Sequence, residues 1–593
     1  MRRQLSRIYN TLGQLEKLID GSGDETVYGY DSNGRLVDRL DANQNLTRFE
    51  YDPLDRLTIT ADSSLGQTLM EYGDRDQLTG MTDPLGNTTR YTFDGLDNQL
   101  QLDSPDTGMS SHEYDSAGNL LATTDAEGVR KSYSFDSLNR LTGVSYPDSA
   151  LNVSYSYDAG EHGIGRLTGM VDSAGTSSYS YDARGNMIAE IRTIGEEQYL
   201  VLYEFNSADR LTQITYPSGM EISFTLDASG QVKAIEKAGH DGNETLASHV
   251  LYEPFGPAHS FEYGNGLAFS AGFDLESQLE NLQSGTELNW SLNYDPAGNI
   301  IAISSQPDNE FDQVFEYDHL HRLTSALGSY GPEAFAYDAS GNRTRRQTEF
   351  TDQSYSYDSQ SNRLLAGNNL SFTRDATGNR TRKLDANGYG HLYTYADHNR
   401  LARLSEREAT GDTVVMEYLY DGRGQRVSKS PGSESTHFIY GPSGLLLGEY
   451  STAINGDSRE YVYLNGQPVA VITREVELIT PPGEEVVLDN GDPGTSMTGS
   501  WRSKTNAQDY GSDYLFANKA SNRSYRWTAT PPGSDYRVYA WWTDRKNQSA
   551  SVTYTIRFGD GLTDTINRSH QTGGGQWQLL GSYHNIDGQD YVE

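Results

Sequence analysis

The 593-residue chain contains no cysteine, which excludes disulfide staples, thiolate catalysis and cysteine-ligated zinc. It has no run of 18 apolar residues, so no segment reads as a membrane-spanning helix. Positive charge is scarce: 46 Lys and Arg stand against 83 Asp and Glu, a formal net charge of −37. Such a chain repels phosphate polymers and anionic lipid, and nucleic acid is excluded as a partner on that ground. Met1-Arg2-Arg3-Gln4-Leu5-Ser6-Arg7 is basic but lacks the apolar stretch of an export signal. Apolar residues make up only 35%, with a mean hydropathy of −0.68. A long chain of this polarity suits an extended, high-surface architecture better than one thick core.

What the sequence has in abundance is periodicity. An aromatic followed by a turn former recurs every 21 residues, at Tyr9-Asn10, Tyr30-Asp31, Tyr51-Asp52, Tyr72-Gly73, Phe93-Asp94, Tyr114-Asp115 and Phe135-Asp136. The spacing then loosens through Tyr157-Asp158, Tyr181-Asp182, Tyr294-Asp295, Tyr317-Asp318, Tyr337-Asp338 and Tyr420-Asp421, and is obscured between 226 and 273. Since Tyr9 already falls on the register, the start reads as lying inside a longer array. A second aromatic often stands two residues earlier, as in Tyr28/Tyr30, Phe49/Tyr51 and Tyr91/Phe93, so one strand face carries an aromatic pair. The Asp and the following Gly or Asn supply a side-chain cap and tolerance of positive φ, where the chain reverses. The structural turn residues are therefore Tyr30, Asp31 and Gly34; Tyr51 and Asp52; Tyr114, Asp115 and Gly118; Tyr181, Asp182 and Gly185; Tyr294, Asp295 and Gly298; and Tyr337, Asp338 and Gly341. A second turn of the form Asp-x-x-Gly follows about ten residues later, at Asp83–Gly86 and Asp125–Gly128. Each repeat is thus two short strands and two turns, too small to bury a core alone, so neighbours stack into one long coiling antiparallel sheet. The bias of 41 Tyr over 17 Phe predicts a thin wall whose inner layer stays partly hydrated.

These Tyr-Asp-x-x-Gly/Asn-Arg/Asn-Leu units resemble the YD-repeat, or Rhs, family of bacterial polymorphic toxins, toxin-complex C subunits and teneurins. The turns Tyr146-Pro147-Asp148 and Tyr216-Pro217-Ser218-Gly219 and the stretch from Glu460 to Ile472 carry the same resemblance. It implies an all-β fold over residues 1–475: a spiral of antiparallel β-hairpins forming a hollow shell, in some members enclosing a toxin. Where that family runs into a His-Leu-Gly segment and an Asp-Pro-x-Gly cleavage boundary, this sequence departs from the pattern. Neither self-cleavage nor a toxin carries over within these residues.

After a linker at 476–484 the composition changes: of six Trp, only Trp290 precedes it. Strand-like runs split by Gly, Pro and Asp turns predict a separate β-sandwich over 485–593. The segments Leu488–Gly494, Gly499–Trp501, Tyr510–Tyr514, Tyr539–Trp542 and Gly574–Trp577 resemble the golvesin C-terminal-like domain, similar to an accessory domain of xanthan lyases. That resemblance implies a jelly-roll-like sandwich with a carbohydrate-binding role, its last strand cut short at Glu593. A flat indole stacks on the C–H face of a sugar, so Trp501, Tyr510, Tyr514, Trp541, Trp542 and Trp577 are the candidate glycan-binding residues.

No catalytic residue, metal ligand or cofactor is assigned. Acidic turns such as Asp31–Gly34 and Asp385–Gly388 offer oxygens to Ca²⁺, but lack the dense spacing of a tight site, and backbone capping explains them. His319 and His321 lie two apart without an evident third ligand and read as exposed turn histidines. The leading expectation is a non-enzymatic bacterial protein, secreted or at the cell surface, whose shell carries a module for a polysaccharide or cell-surface glycan in adhesion or scaffolding. The first alternative is the cage portion of a polymorphic toxin, its partner an encapsulated toxin domain encoded beyond residue 593. The second is an accessory region of a polysaccharide-degrading enzyme. A free sheet edge adds self-association to the partners expected.

Overall fold

The computed structural model of the protein describes residues 5–475, apart from 240–242, 255, 308 and 454–455, together with nine further strands between residues 495 and 592. The chain divides into two compact units, Met1–Val476 and Glu477–Glu593. In the first, 44 strands form one antiparallel sheet. Each pairs with its sequence neighbours, from Ser6–Tyr9 on Leu15–Ile19 to Asp457–Leu464 on Gln467–Glu475. No α-helix occurs among the described residues. The coiling hairpin sheet read from the sequence is the fold.

One turn geometry is used throughout. The Asp31 carboxylate accepts the N–H groups of Asn33 at 2.9 Å and Arg35 at 3.0 Å, while Gly34 N–H donates to the Asp31 carbonyl at 3.0 Å. The same pattern recurs at Asp52, Asp115, Asp182, Asp295 and Asp338. Gly34 has φ +86°, in the left-handed region; where a repeat lacks this Gly, Asp55, Asp76 or Asn139 takes the same conformation, the residues that tolerate it best. The repeat hidden between 226 and 273 is Tyr252-Glu253, with Glu in place of Asp: Glu253 N–H bonds the Pro257 carbonyl and Tyr252 faces Ala258.

At every such turn the register slips by one residue, so that Tyr30 faces Leu36 and Gly29 faces Asp38, and likewise Tyr51 faces Leu57 and Tyr72 faces Leu78. A bulge adds right-handed twist; repeated in each unit, it coils the sheet. The tyrosine hydroxyls are not left to water as the composition suggested. Tyr51 Oη donates to the carbonyl of Leu36 at 2.8 Å, Tyr72 to Leu57, Tyr181 to Leu167 and Tyr337 to Leu323. Each ties its repeat to the one before, a bond phenylalanine cannot make.

The coil closes on itself through polar contacts between residues 238 to 280 apart, one series of which keeps a narrow interval. Polar contacts join residues 249 to 256 apart: Gly21 with Glu276, Asn43 with Asp295, Ser63 with His319, Asp106 with Asn362, Glu127 with Ala376 and Asp148 with Asp397. Both partners advance together, as in a helix, and one lap takes about twelve repeats of 21 residues. The far-rim turns of the first lap meet the Tyr-Asp turns of the second. His319 and His321 belong to this seam: His319 Nδ1 lies 3.0 Å from Asn45 Oδ1 and His321 Nε2 lies 2.8 Å from Asp41 Oδ2.

Near its end the second lap packs face to face on the first. On Glu197–Phe205 the aromatic-bearing face is buried at Tyr199, Val201 and Tyr203, and the other face is open. On Asp457–Leu464 the opposite parity, Ser458, Glu460, Val462 and Leu464, is buried. The aromatic front of residues 174–263 packs on the back of residues 427–472, forming the largest hydrophobic cluster, with Ile194, Val201, Ile222, Ile235, Val427 and Val462 nearly or wholly buried. The aromatic face of the first lap is therefore covered by the back of the second, as in a scroll. Elsewhere the wall is one sheet thick and half-buried.

In the second unit, Thr495–Thr498, Ser524–Trp527, Tyr591–Val592, Val552–Phe558 and Leu562–Arg568 form a five-stranded sheet in that order. Tyr591–Val592 thus lies in the middle of it. Arg502–Lys504 pairs with Tyr514–Phe516, and Asp535–Trp541 with Trp577–His584. Tyr554 and Ile556, alternate residues of one strand, are buried.

Candidate functional site

Of the residues proposed to hold a glycan, Trp501, Tyr510 and Trp542 lie outside the described residues, as does the 476–484 linker. Tyr514 opens the strand Tyr514–Phe516. Trp541 and Trp577 are register partners at one end of their strand pair, a juxtaposition that 35 intervening residues hid from the sequence.

The densest chemistry lies elsewhere, between the two layers of the scroll. Asp172 accepts both Arg192 Nη1 and Nη2 at 2.8 Å, and Arg192 Nη1 also donates to Ser177 Oγ at 3.2 Å. The two side chains are 1% and 6% exposed. Asp172 further accepts the N–H groups of Ala174 and Gly175, closing its own hairpin, and that of Gly422 from the second lap at 3.0 Å. One carboxylate therefore holds a guanidinium, a turn and the opposite layer. Tyr155 Oη reinforces the contact by donating to the Gly422 carbonyl at 2.8 Å.

Beside this pair, Glu190 is 7% exposed and its Oε2 has no hydrogen-bond partner. Burial pushes its carboxyl up to about 7, against the pull of Arg423 and Arg192 and with added repulsion from Asp421. Burial likewise raises Asp421. Arg423, from the same turn, stacks over the Tyr179 ring at 5.0 Å. Further along, His437 Nδ1 shares a 2.8 Å hydrogen bond with Tyr199 Oη, and burial, aided by Arg192, lowers the imidazole to about 4. Tyr450 Oη donates to Glu460 Oε1 at 2.7 Å, and Ser218 Oγ donates to Glu460 Oε2 at 2.6 Å. Glu460 is 2% exposed. The bonds from Asp172 and Tyr155 to Gly422, between Tyr199 and His437, and from Ser218 to Glu460 run between the layers, and their chemistry is that of a lock.

The lock carries a pH signature. Between about 4.5 and about 7 folded Glu190 holds a proton that the unfolded chain has lost, so its contribution to stability falls as pH rises through that window. His437 acts oppositely: between about 6.5 and about 4 the unfolded chain takes up a proton that the folded ring resists, and stability falls as pH drops. Glu190→Gln is expected to exceed the wild type in unfolding free energy from urea titration at pH 8, by roughly 3 kcal/mol at most, with the gap closing toward pH 4.5. A gap of constant size from pH 4 to 8 would show that Glu190 does not titrate as described.

Sequence reading did not single out Asp172, Glu190, Arg192, Asp421, Arg423 or His437. The available signal was the rarity of ionisable residues at inward-facing positions of strands such as Met187–Ile194, whose buried face reads Glu190, Arg192, Ile194.

Comparison with known proteins places this geometry. The RHS Repeat model matches residues 9–46, 30–68, 72–109, 114–151 and 162–195, the Teneurin YD-shell model matches residues 264–472, and the Golvesin C-terminal domain model matches residues 486–593. A Double-stranded DNA deaminase toxin A of Burkholderia cenocepacia (strain H111) is 24% identical over 340 residues, covering 52% of this chain and 22% of that protein. Among solved structures, the crystal structure of TcdB2-TccC3 superposes with a TM-score of 0.64 at 16% identity, over 78% of this chain and 30% of that one. The Photorhabdus luminescens Tc holotoxin pore gives a TM-score of 0.66 at 16% identity, over 79% and 28%. At such identities the likeness is one of fold, and the chain spans less than a third of each of these relatives. RHS repeats are thus matched between residues 9 and 195, a teneurin YD-shell over 264–472 and a golvesin C-terminal domain over 486–593, and the hairpin sheet of the first unit has the YD-shell fold.

Proposed function

We propose that residues 1–475 are the wall of a protein container, the cage portion of a polymorphic toxin, and that the wall itself catalyses nothing. The observation that carries this reading is the seam: contacts between residues 238 to 280 apart, with one rim series at 249 to 256, join successive laps side by side into a continuous wall. The similarity to a deaminase toxin and to Tc toxin chains supports it. The cargo is a polypeptide carried by the same gene product, and the setting is secreted or cell-surface. Residues 485–593 are a separate module; glycan binding there rests on its tryptophans, and the likeness to toxins favours the cage over the adhesin.

Limited trypsin digestion of the full-length gene product is the test. The cargo segment is expected to resist cleavage while the wall is intact and to be cut at least ~10-fold faster once the interlayer lock is broken by Asp172→Ala. Cargo cut at the same rate in both proteins would refute containment.

A further inference from the structure

The aromatic-bearing face departs from its own repeat rule with arginine at three repeats of the second lap. Opposite the aromatic of the Tyr-Asp turn stands an aliphatic residue in repeat after repeat: Leu36, Leu57, Leu78, Leu141, Leu323 and Leu401 face Tyr30, Tyr51, Tyr72, Phe135, Tyr317 and Tyr395. In three repeats of the second lap this position is instead Arg343 opposite Tyr337, Arg380 opposite residue 374, and Arg426 opposite Tyr420, with Leu364 and Leu401 keeping the rule in the repeats between them. Residue 374 is itself Arg where other repeats have the aromatic, so Arg374 and Arg380 confront each other directly. Like charges facing across a strand pair are destabilising.

The four arginines lack the carboxylate partners that other arginines have. Arg35, Arg56, Arg140 and Arg322 each pair with the Asp of their turn, and on the strand of Arg343 itself Arg345 pairs with Asp352 and Arg346 with Glu333. Among the described residues no acidic group lies within 4 Å of Arg343, Arg374, Arg380 or Arg426 in an ion pair. The Nε atoms of Arg374 and Arg380 are buried without a hydrogen-bond partner. Three of the guanidinium groups lie on aromatic plates: Arg343 at 4.8 Å from the Tyr355 ring centroid, Arg380 at 4.7 Å from Phe372 and Arg426 at 4.6 Å from Phe438. A guanidinium pre-oriented and partly desolvated on a ring is a strong bidentate receptor for carboxylate.

We propose that Arg343, Arg374, Arg380 and Arg426 form an anchoring row on the aromatic-bearing face of the wall for the carboxylates of an acidic polypeptide segment. The inference rests on the container reading and names the chemistry of what is contained. The strands bearing Arg343 and Arg426 are eight sheet positions apart, about 40 Å at the usual strand spacing, the reach of an extended peptide of about 12 residues. A peptide suits the row better than a phosphate polymer, because four cations on a chain of net charge −37 attract scattered carboxylates without overcoming the repulsion of a polyanion.

The test restores the repeat rule: Arg343→Leu, Arg380→Leu and Arg426→Leu with Arg374→Tyr, each the residue found at that position in other repeats. The 593-residue chain is titrated at 50 mM salt with a fluorescent 12-residue Glu/Gly/Ser peptide, its Gln/Gly/Ser counterpart and a 12-nucleotide oligothymidylate. The wild type is expected to bind the Glu peptide, and the fourfold variant at least ~10-fold more weakly. The variant should also melt higher, because residues kept for binding cost stability when unoccupied. Equal binding by both proteins, no binding by the wild type, or a lowered melting temperature in the variant would overturn the proposal, the last by making the arginines structural. Tighter binding of oligothymidylate would replace the peptide with a nucleic acid. None of these outcomes alters cargo protection from trypsin, so a failed row and a failed container are separately visible.

Discussion

Asp172→Ala is expected to open the scroll. It leaves the Arg192 guanidinium, 6% exposed, buried without its counter-charge, and it strips the acceptor from the N–H groups of Ala174, Gly175 and Gly422. Removing one member of a buried ion pair costs about 3–5 kcal/mol, because the orphaned charge retains its desolvation penalty. Hydrogen exchange is the suitable measurement, since a repeat array loses structure locally before it unfolds globally. Amides of Leu167–Asp172, Met187–Ile194 and the turn at Asp421–Gln425 should lose protection by two to three orders of magnitude, while the early repeats around Tyr30 and Tyr51 remain unchanged. Adding Arg192→Leu should recover much of the loss, because the cavity then contains no unpaired charge. Unchanged protection in the single variant, or a double variant worse than the sum of its parts, would show that the pair does not hold the layers together.

Gly422→Val should strike the same junction by crowding it. A β-carbon at 422 would stand 2.5 Å from Val153 Cγ1 and 2.8 Å from Met170 Sδ, closer than carbon and sulfur can approach. Met170 is 2% exposed and Val153 8% exposed, so neither has open space to retreat into. Overpacking of this kind costs about 1–3 kcal/mol, and displacement of the turn would add the bonds from Gly422 to Asp172 and Tyr155. Shortening the obstacle with Met170→Ala in the Gly422→Val background should restore most of the urea midpoint. If Gly422→Val is as stable as the wild type, the layers do not touch here.

What the sequence disclosed and what it concealed divide along the range of the interactions. The turn is local: Asp31 caps residues two and four positions ahead, and Gly34 takes a conformation other residues resist, so Tyr-Asp-x-x-Gly is legible wherever it occurs. The aromatic pair on one face follows from strand parity alone. Tyr252-Glu253 escaped notice because a one-carbon-longer acid replaced the expected Asp, although the backbone turn is the same. The lap of about 250 residues was illegible, because it is the sum of small bulge-driven twists over about twelve repeats, and no pair of residues announces it. Asp172, Glu190, Arg192 and His437 were concealed for the same reason. Each looks ordinary in its own strand and becomes a buried lock only when residues 238 to 250 positions away arrive opposite.

The seam has a consequence for how such a wall can vary in length. Asn43 must meet Asp295 and Glu127 must meet Ala376 at nearly the same interval, so the circumference is fixed in units of whole hairpins. Deleting one hairpin between them would set every downstream turn against the wrong neighbour around the entire ring. A change in length that keeps the courses already laid in step comes a whole lap at a time, about twelve hairpins together.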